Sequence, residues 1–353
     1  MKKLVTVLFA ATALIASCTS EEKPETPAGP PEIAFEIDED LDVKTRGEIK
    51  TSFSTGQFFN AFAWKSGDAS AFFDLRGKTT SPTEAKLVDK AADTDNKQYW
   101  PDGTINMRFM AFYPFQASGL TPTWAGMSMS TDYEVKTDFY SQEDLLYAYT
   151  PVSGKTAPLH FRHALTRVTF SCKVADVPGG TTSVKVKSIT LNGAPVKGKF
   201  SFTAGTGATS TTYEGGTLAW NGRTTGNRTA TLINGGNDYA RDIKAATSSY
   251  VSIFNDAYAG KDSFFLVPLF DHPAANSIQM SIVFTVNGID RPAITAYVPT
   301  LTGAANDAKK WNPNVHVNYQ LTYNVGNAAG QILFTGITVQ SWGSAQDVPV
   351  SLN

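Results

Sequence analysis

The chain is short of the residue types that most enzyme and metal chemistry draws on. Two cysteines in 353 residues, Cys18 and Cys172, exclude a disulfide framework, so stability has to come from burial. Four histidines are too few and too scattered for an evident metal site. His160 and His163 stand three apart, which on a strand sends them to opposite faces. Asp93-Thr94-Asp95-Asn96 lacks the glycine and closing glutamate of a twelve-residue calcium loop and reads as a solvated turn. No G-x-S-x-G elbow and no phosphate-cradling loop occurs; Gly205-Thr206-Gly207 runs on through Thr209 and Ser210 without a helical period. No metal, no cofactor and no catalytic residue is expected, although carboxylates paired in space would escape a reading of this kind. A net charge of −2 gives no electrostatic reason to bind nucleic acid.

What the chain does have is aromatic residues and short alternating runs. Its 22 Phe and 13 Tyr, with frequent Thr, Val and Ser, favour strands over helices. Strand-like segments fall at 52–53, 58–64, 71–75, 85–88, 105–113, 128–135 and 145–149. More follow at 184–191, 199–202, 229–233, 264–268, 278–286, 294–298, 316–325 and 331–339. Turn-formers separate them, the rhythm of an all-β antiparallel sandwich. Pro178-Gly179-Gly180, Asn192-Gly193 and Asn287-Gly288 suit tight hairpins. Residues 205–216 and 222–226 read as mobile surface loops. Cys172 alternates with Val168, Phe170 and Val174 as a small core residue. The length allows two domains, and the small polar stretch 151–156 divides 47–153 from 154–353.

The N-terminus carries its own signals. Lys2 and Lys3, the apolar run 4–15 and the small residues after it form a secretory signal over 1–17, too short to span a bilayer as a mature helix. The junction Leu14-Ile15-Ala16-Ser17-Cys18 is similar to a lipobox, in which Cys18 is acylated and becomes the new N-terminus. Acyl chains there would anchor the protein to a membrane; a plain cleaved signal with an incidental cysteine is the alternative. Residues 18–31 are a polar, proline-rich tether. Glu21 and Glu22 resemble the acidic export signal of lipoproteins displayed on the outer face of an outer membrane. Over 32–46, Ile33, Phe35 and Ile37 alternate with Glu32, Ala34 and Glu36, and Leu41 and Val43 continue the apolar series up to Arg46-Gly47. This is either an ordinary first strand or one that a cut after Arg46 removes. Residues 1–46 hold five basic and nine acidic side chains, so their loss would turn 30 and 32 into 25 and 23, a net near +2.

The order of motifs resembles the bacterial fimbrillin family, the FimA- and Mfa-like surface subunits of gram-negative anaerobes. The motifs are the lipobox, Thr45-Arg46, Tyr99-Trp100-Pro101, Phe109-Met110-Ala111-Phe112-Tyr113-Pro114, Asp144-Leu145-Leu146-Tyr147-Ala148, the 161–170 segment and Ile337-Thr338-Val339-Gln340-Ser341-Trp342. The resemblance implies two transthyretin-like β-sandwich domains with Greek-key-type connections and a lipidated precursor. It further implies cleavage at Arg46 by an Arg-specific protease, removal of the 32–46 strand, and polymerisation by strand exchange. The donor would be the C-terminal segment bearing Ile332, Phe334, Ile337, Val339, Val348, Val350 and Leu352. Expected partners are further copies and accessory fimbrial subunits, the outer membrane before processing, and a host or bacterial surface ligand. The expected place is the cell surface and then the fimbrium, with a stalk role favoured over a tip by the apolar alternation near 353 and an uncleaved, lipid-bearing anchor as the alternative.

Strand exchange is physically sensible because a sandwich short of one strand exposes backbone donors, acceptors and an apolar groove. While its own strand is tethered, high effective concentration favours that strand over a donated one. A head-to-tail donor contact can build an open filament. The rival reading is a monomeric outer-membrane lipoprotein that binds glycans through Trp64, Trp100, Trp124 or Trp220, and a surface hydrolase is the third.

Overall fold

Alternating apolar residues commit this chain to strands almost throughout. The computed structural model describes residues 29–37, 52–65, 68, 70–102, 106–123, 128–152, 155–205, 216–258, 261–300, 310–326 and 331–341. Among them helix is confined to two short 3-10 turns, Phe139–Ser141 and Asp256–Tyr258.

The first strands are β1 (Phe35–Ile37), β2 (Phe58–Lys65), β3 (Phe73–Ser81), β4 (Glu84–Val88) and β5 (Met107–Tyr113). They are followed by β6 (Thr121–Thr123), β7 (Ser128–Glu134), β8 (Leu146–Val152), β9 (Ala157–Leu159) and β10 (Arg162–His163). All but β6 and β7 join one eight-stranded sheet, ordered β10-β8-β5-β2-β3-β4-β1-β9. The sheet curls so that β9, last in that order, meets β8, where the Thr150 hydroxyl donates to the Pro158 carbonyl. Residues 153 and 154, the expected domain boundary, lie outside the described residues, and β9 and β10 beyond them stay in this sheet.

The centre of the sheet is buried on both faces. Phe59, Ala61 and Ala63 of β2, Phe109 and Ala111 of β5, and Ala148 of β8 line its inner core. Their neighbours Phe62, Trp64, Met110, Phe112, Tyr147 and Tyr149 point the other way, into a second core shared with Phe200, Phe202 and Trp220. Runs such as Phe-Met-Ala-Phe are therefore continuous in apolarity, as strands covered on both sides must be.

The remaining strands are β11 (Thr166–Ala175), β12 (Val184–Thr203), β13 (Thr217–Thr231), β14 (Ile233–Asn234), β15 (Asn237–Asp238) and β16 (Val251–Ser252). After them come β17 (Phe264–Leu266), β18 (Gln279–Val286), β19 (Ile289–Asp290), β20 (Ile294–Tyr297), β21 (Val315–Asn324) and β22 (Gln331–Ser341). One sheet runs β16-β11-β21-β22 with β17 also on β11; the other runs β19-β18-β12-β7-β6, with β13 beside β12 and β20 beside β18. Between them Val168, Phe170 and Cys172 pack with Tyr319, Ile189 and Phe284 in a third core. Burial pushes the Cys172 thiol up to about 12, so it is an inert core residue, as its alternation predicts.

The all-β expectation holds, with local corrections. Two pairings are parallel, β1 with β9 and β11 with β21. Segments 184–191 and 199–202 are one strand of 20 residues, β12. Asn192-Gly193 makes no hairpin but a bulge within it: Gly193 has φ +77°, and a Cβ there would stand 2.6 Å from the Ser277 carbonyl oxygen. Residues 222–226 belong to β13 and are no loop. Pro178-Gly179-Gly180 carries the chain from one sheet to the other between β11 and β12, whereas Asn287-Gly288 does turn the β18–β19 hairpin, with φ of 52° and 77°. Residues 52–53 form no strand, although Phe53 is buried in the first core. The 93–96 turn is stapled by Lys78 to Asp93 and by Lys86 to Asp95, while Asp89 accepts from Thr94 and Asn96.

Gly77 in β3 shows how tight the first core is. A Cβ there would lie 2.2 Å from Cζ of Phe59, whose buried ring is held edge-on by Phe35 and Phe161 at 6.0 and 5.4 Å between centroids. Gly77→Ala is expected to cost about 1–3 kcal/mol by overpacking. Phe59→Leu in the same chain should recover part of it, so urea denaturation of the two singles and the double should be non-additive. Simple addition of the losses would refute the clash.

Candidate functional site

The short strand β1 sits where the curled sheet closes. It pairs antiparallel with β4, Phe35 opposite Ala85, and parallel with β9, Phe35 beside Ala157 and Ile37 beside Leu159. Its backbone is tied further out as well. Ile33 N–H donates to Gln98 O at 2.7 Å, Ile37 N–H to Thr83 O at 2.7 Å, and Trp100 N–H to Pro31 O at 3.0 Å. At the rim, Lys97 Nζ meets Glu32 at 2.8 Å; the hydrogen bond and the carboxylate charge raise the ammonium's pKa, but the pair is exposed and a weak tie.

The alternation of the sequence is realised side chain by side chain. Ile33, Phe35 and Ile37 are buried, while Ala34 and Glu36 are exposed. Phe35 is 2% exposed and sits edge-on to Phe59 and Phe109, at 6.0 and 5.7 Å. Three such side chains bury roughly 5–9 kcal/mol of gross transfer free energy, before the cost of ordering the segment. Without β1, β4 and β9 lose their shared neighbour and Ala85, Leu87, Ala157 and Leu159 line an open apolar slot.

The other residues singled out in the sequence divide into two groups. Cys18, Leu41, Val43, Arg46, Gly47, Val348, Val350 and Leu352 lie outside the described residues. Ile332, Phe334, Ile337 and Val339 belong to β22, which pairs antiparallel with β21 of its own chain from Gln331 to Ser341. Ile332 and Ile337 are buried in the third core, with Phe334 packed against it.

Two neighbours of β1 were not foreseen. Ala157-Pro158-Leu159 is too short and too proline-bearing to read as a strand, and Gln98 lies outside any alternating run. Of the tryptophans considered as glycan platforms, Trp64, Trp100 and Trp220 are buried in cores, which removes them as surface contacts; Trp124 lies outside the described residues. His163 is buried with Nδ1 at 2.6 Å from Asp144 Oδ2. Among the described residues no group of three or more His, Cys, Asp or Glu side chains could hold a metal, and no helix is long and apolar enough to cross a membrane.

Among solved structures the chain is similar to a fimbrial protein from Bacteroides vulgatus, with 13% identity, 88% of this chain and 99% of that chain covered, and a TM-score of 0.56. It is also similar to a candidate cell adhesion protein from Bacteroides ovatus, with 16% identity over 90% of this chain and 99% of that one and a TM-score of 0.54. A third, a candidate cell adhesion protein from Bacteroides uniformis, has 13% identity over 88% and 98% and a TM-score of 0.52. At such identities the likeness is one of fold. No curated protein matches the chain. The model of a family described as fimbrillin-like matches residues 45–342, most of the sequence, and the protein therefore belongs to the fimbrillin-like family.

Proposed function

We propose that the protein is a structural subunit of a bacterial surface fimbria, held closed by its own first strand until that strand is cut away. The observation that carries this reading is the position of β1: it is short, near the start of the chain, and the only link between β4 and β9 among the described residues of the sheet order. The family match begins at residue 45, beside Arg46, which leaves β1 outside the matched span. Solved structures of the same fold include one described as a fimbrial protein.

In this reading the chain is exported as a lipoprotein through Cys18 and displayed on the outer membrane. An Arg-specific protease cuts after Arg46, which separates the subunit from its lipid and ends the tether that kept 32–46 in place. The slot between β4 and β9 then takes a strand from a neighbouring copy or an accessory subunit. Because β22 is paired in its own subunit up to Ser341, the exchanged strand is carried by the residues after it, with Val348, Val350 and Leu352 as its apolar face. Ile332, Phe334, Ile337 and Val339 act as its root. Adhesion to a host or bacterial surface is the service such a fibre performs, and no step of it calls for catalysis.

The N-terminal sequence of material sheared from cells tests this. Gly47 is the expected first residue, and trypsin acting on the purified precursor should produce ladders that resist mild denaturation. A blocked Cys18 on the sheared material, or normal fibres built from Arg46→Ala, would refute the processing step.

A further inference from the structure

The outer face of the β11–β21 sheet holds a polar cavity of about 560 Å³. Alternation along these strands sends Phe170 and Tyr319 inward and leaves Arg167, Thr169 and Ser171 on β11 beside His316, Asn318 and Gln320 on β21, register partner by register partner. Outward faces of sheets usually carry mobile charged chains in water. Here the polar side chains are sunk: Arg167, Thr169 and Ser171 are 2%, 8% and 7% exposed.

Hydrogen bonds order them. Thr169 Oγ1 lies 2.7 Å from His316 Nε2 and 3.1 Å from Asn318 Oδ1, and Asn318 Nδ2 donates to Ser171 Oγ at 3.0 Å. Burial, with the Arg167 charge beside it, holds His316 well below its usual pKa, so the imidazole is neutral. A threonine hydroxyl has one proton to give, and Asn318 Oδ1 can only accept. The chain therefore runs one way: His316 Nε2–H to Thr169, Thr169 to Asn318, Asn318 to Ser171. It leaves the Ser171 hydroxyl proton free to donate into the cavity. Arg167 is already met by Asp262 at 3.1 Å and Ser263 at 2.6 Å, so the wall charge is balanced. Tyr250 stands at the rim, fixed through its hydroxyl to Thr335 at 2.6 Å.

We infer that this cavity is a binding site for an uncharged saccharide unit, with Ser171, Asn318 and Gln320 reading its hydroxyls and Tyr250 lying against its ring. The volume falls within the roughly 300–1,000 Å³ of small-ligand sites. Polar walls disfavour an apolar ligand, since their donors and acceptors would be left unpaired. Arg167 is paired with Asp262, and the Lys173 ammonium lies over the Tyr250 ring, 4.8 Å from its centroid, so both β11 cations at this wall already have a partner. Vicinal hydroxyls, each both donor and acceptor, suit a wall of amides and hydroxyls, and an aromatic ring suits the C–H face of a pyranose. The inference does not depend on polymerisation.

The test is saturation-transfer NMR on the full secreted chain, uncleaved, with glucose, galactose, mannose and N-acetylglucosamine at millimolar concentration. Gluconate and N-acetylneuraminate serve as anionic controls. At least one neutral sugar should receive saturation, and Ser171→Ala and Asn318→Ala should each weaken it about tenfold. Lys97→Ala, at the rim of the β1 seat, should leave it unchanged. If either cavity variant fails to fold, Gln320→Ala, outside the ordered chain of bonds, decides the matter by the same loss. Silence from every neutral sugar, binding of the anions alone, or a signal that survives the substitutions would overturn the assignment.

Discussion

Phe35→Ala should destabilise the first core by about 3–5 kcal/mol, among the larger effects a single truncation can have. The ring is buried against Phe59 and Phe109 on a strand of only three residues, so no neighbour in β1 can compensate. The curled sheet cannot collapse into the cavity without drawing β4 towards β9, and those two strands are held apart by β1 itself. Urea denaturation followed by tryptophan fluorescence reads this directly, since Trp100 lies 5.7 Å from Phe109 in the same core. Glu36→Ala, on the exposed side of the same strand, should stay within about 0.5 kcal/mol. In amide exchange the Phe35→Ala chain should lose protection along β4 and β9 before β2 and β5. A loss below about 1 kcal/mol would mean that β1 contributes little to closure, and the plug reading would lose its basis.

Asp144→Ala is the second large effect, again about 3–5 kcal/mol, from breaking a buried polar pair at one end. The Asp144 side chain is wholly buried and its Oδ2 lies 2.6 Å from His163 Nδ1. The surrounding backbone joins the sheet to the second core: Ala164 N–H donates to Leu145 O at 2.7 Å, and the Trp220 indole donates to Ala164 O at 3.0 Å. Removing the carboxylate takes away the partner of a buried imidazole nitrogen. Replacing both partners, Asp144→Leu with His163→Leu, should cost much less than the sum of the singles, because no polar group is then stranded. Thermal melting of the four chains checks it; additive losses would show that the pair is incidental.

The strands buried on both faces were the most legible part of the chain. Segments at 58–64, 105–113 and 145–149 announce themselves by dense apolar residues, and β2, β5 and β8 stand there. The alternation at Ile33, Phe35 and Ile37 was equally plain, but its neighbours were not. Strand pairing is non-local, and nothing in Ala85 or Ala157 says that Phe35 will lie between them. Gly193 misleads for a different reason: a positive φ serves a bulge as well as a hairpin, and only the Ser277 carbonyl beside it decides which. The polar cavity was invisible because Thr169, Ser171 and Asn318 read as ordinary outward residues until two strands 147 or more positions apart align them.

One feature of the fold bears on how it carries force. β12 runs for 20 residues, roughly 65 Å if fully extended, pairing with β18 over its first part and with β7 over its last. Its bonds to β13 and to these strands lie across its axis, so a pull along the strand loads them side by side and not one after another. Tension between the two halves is then borne as in a lap joint, where every bond in the overlap must yield together. The register shifts between Leu191 and Lys199 interrupt the β12–β13 bonds within that overlap.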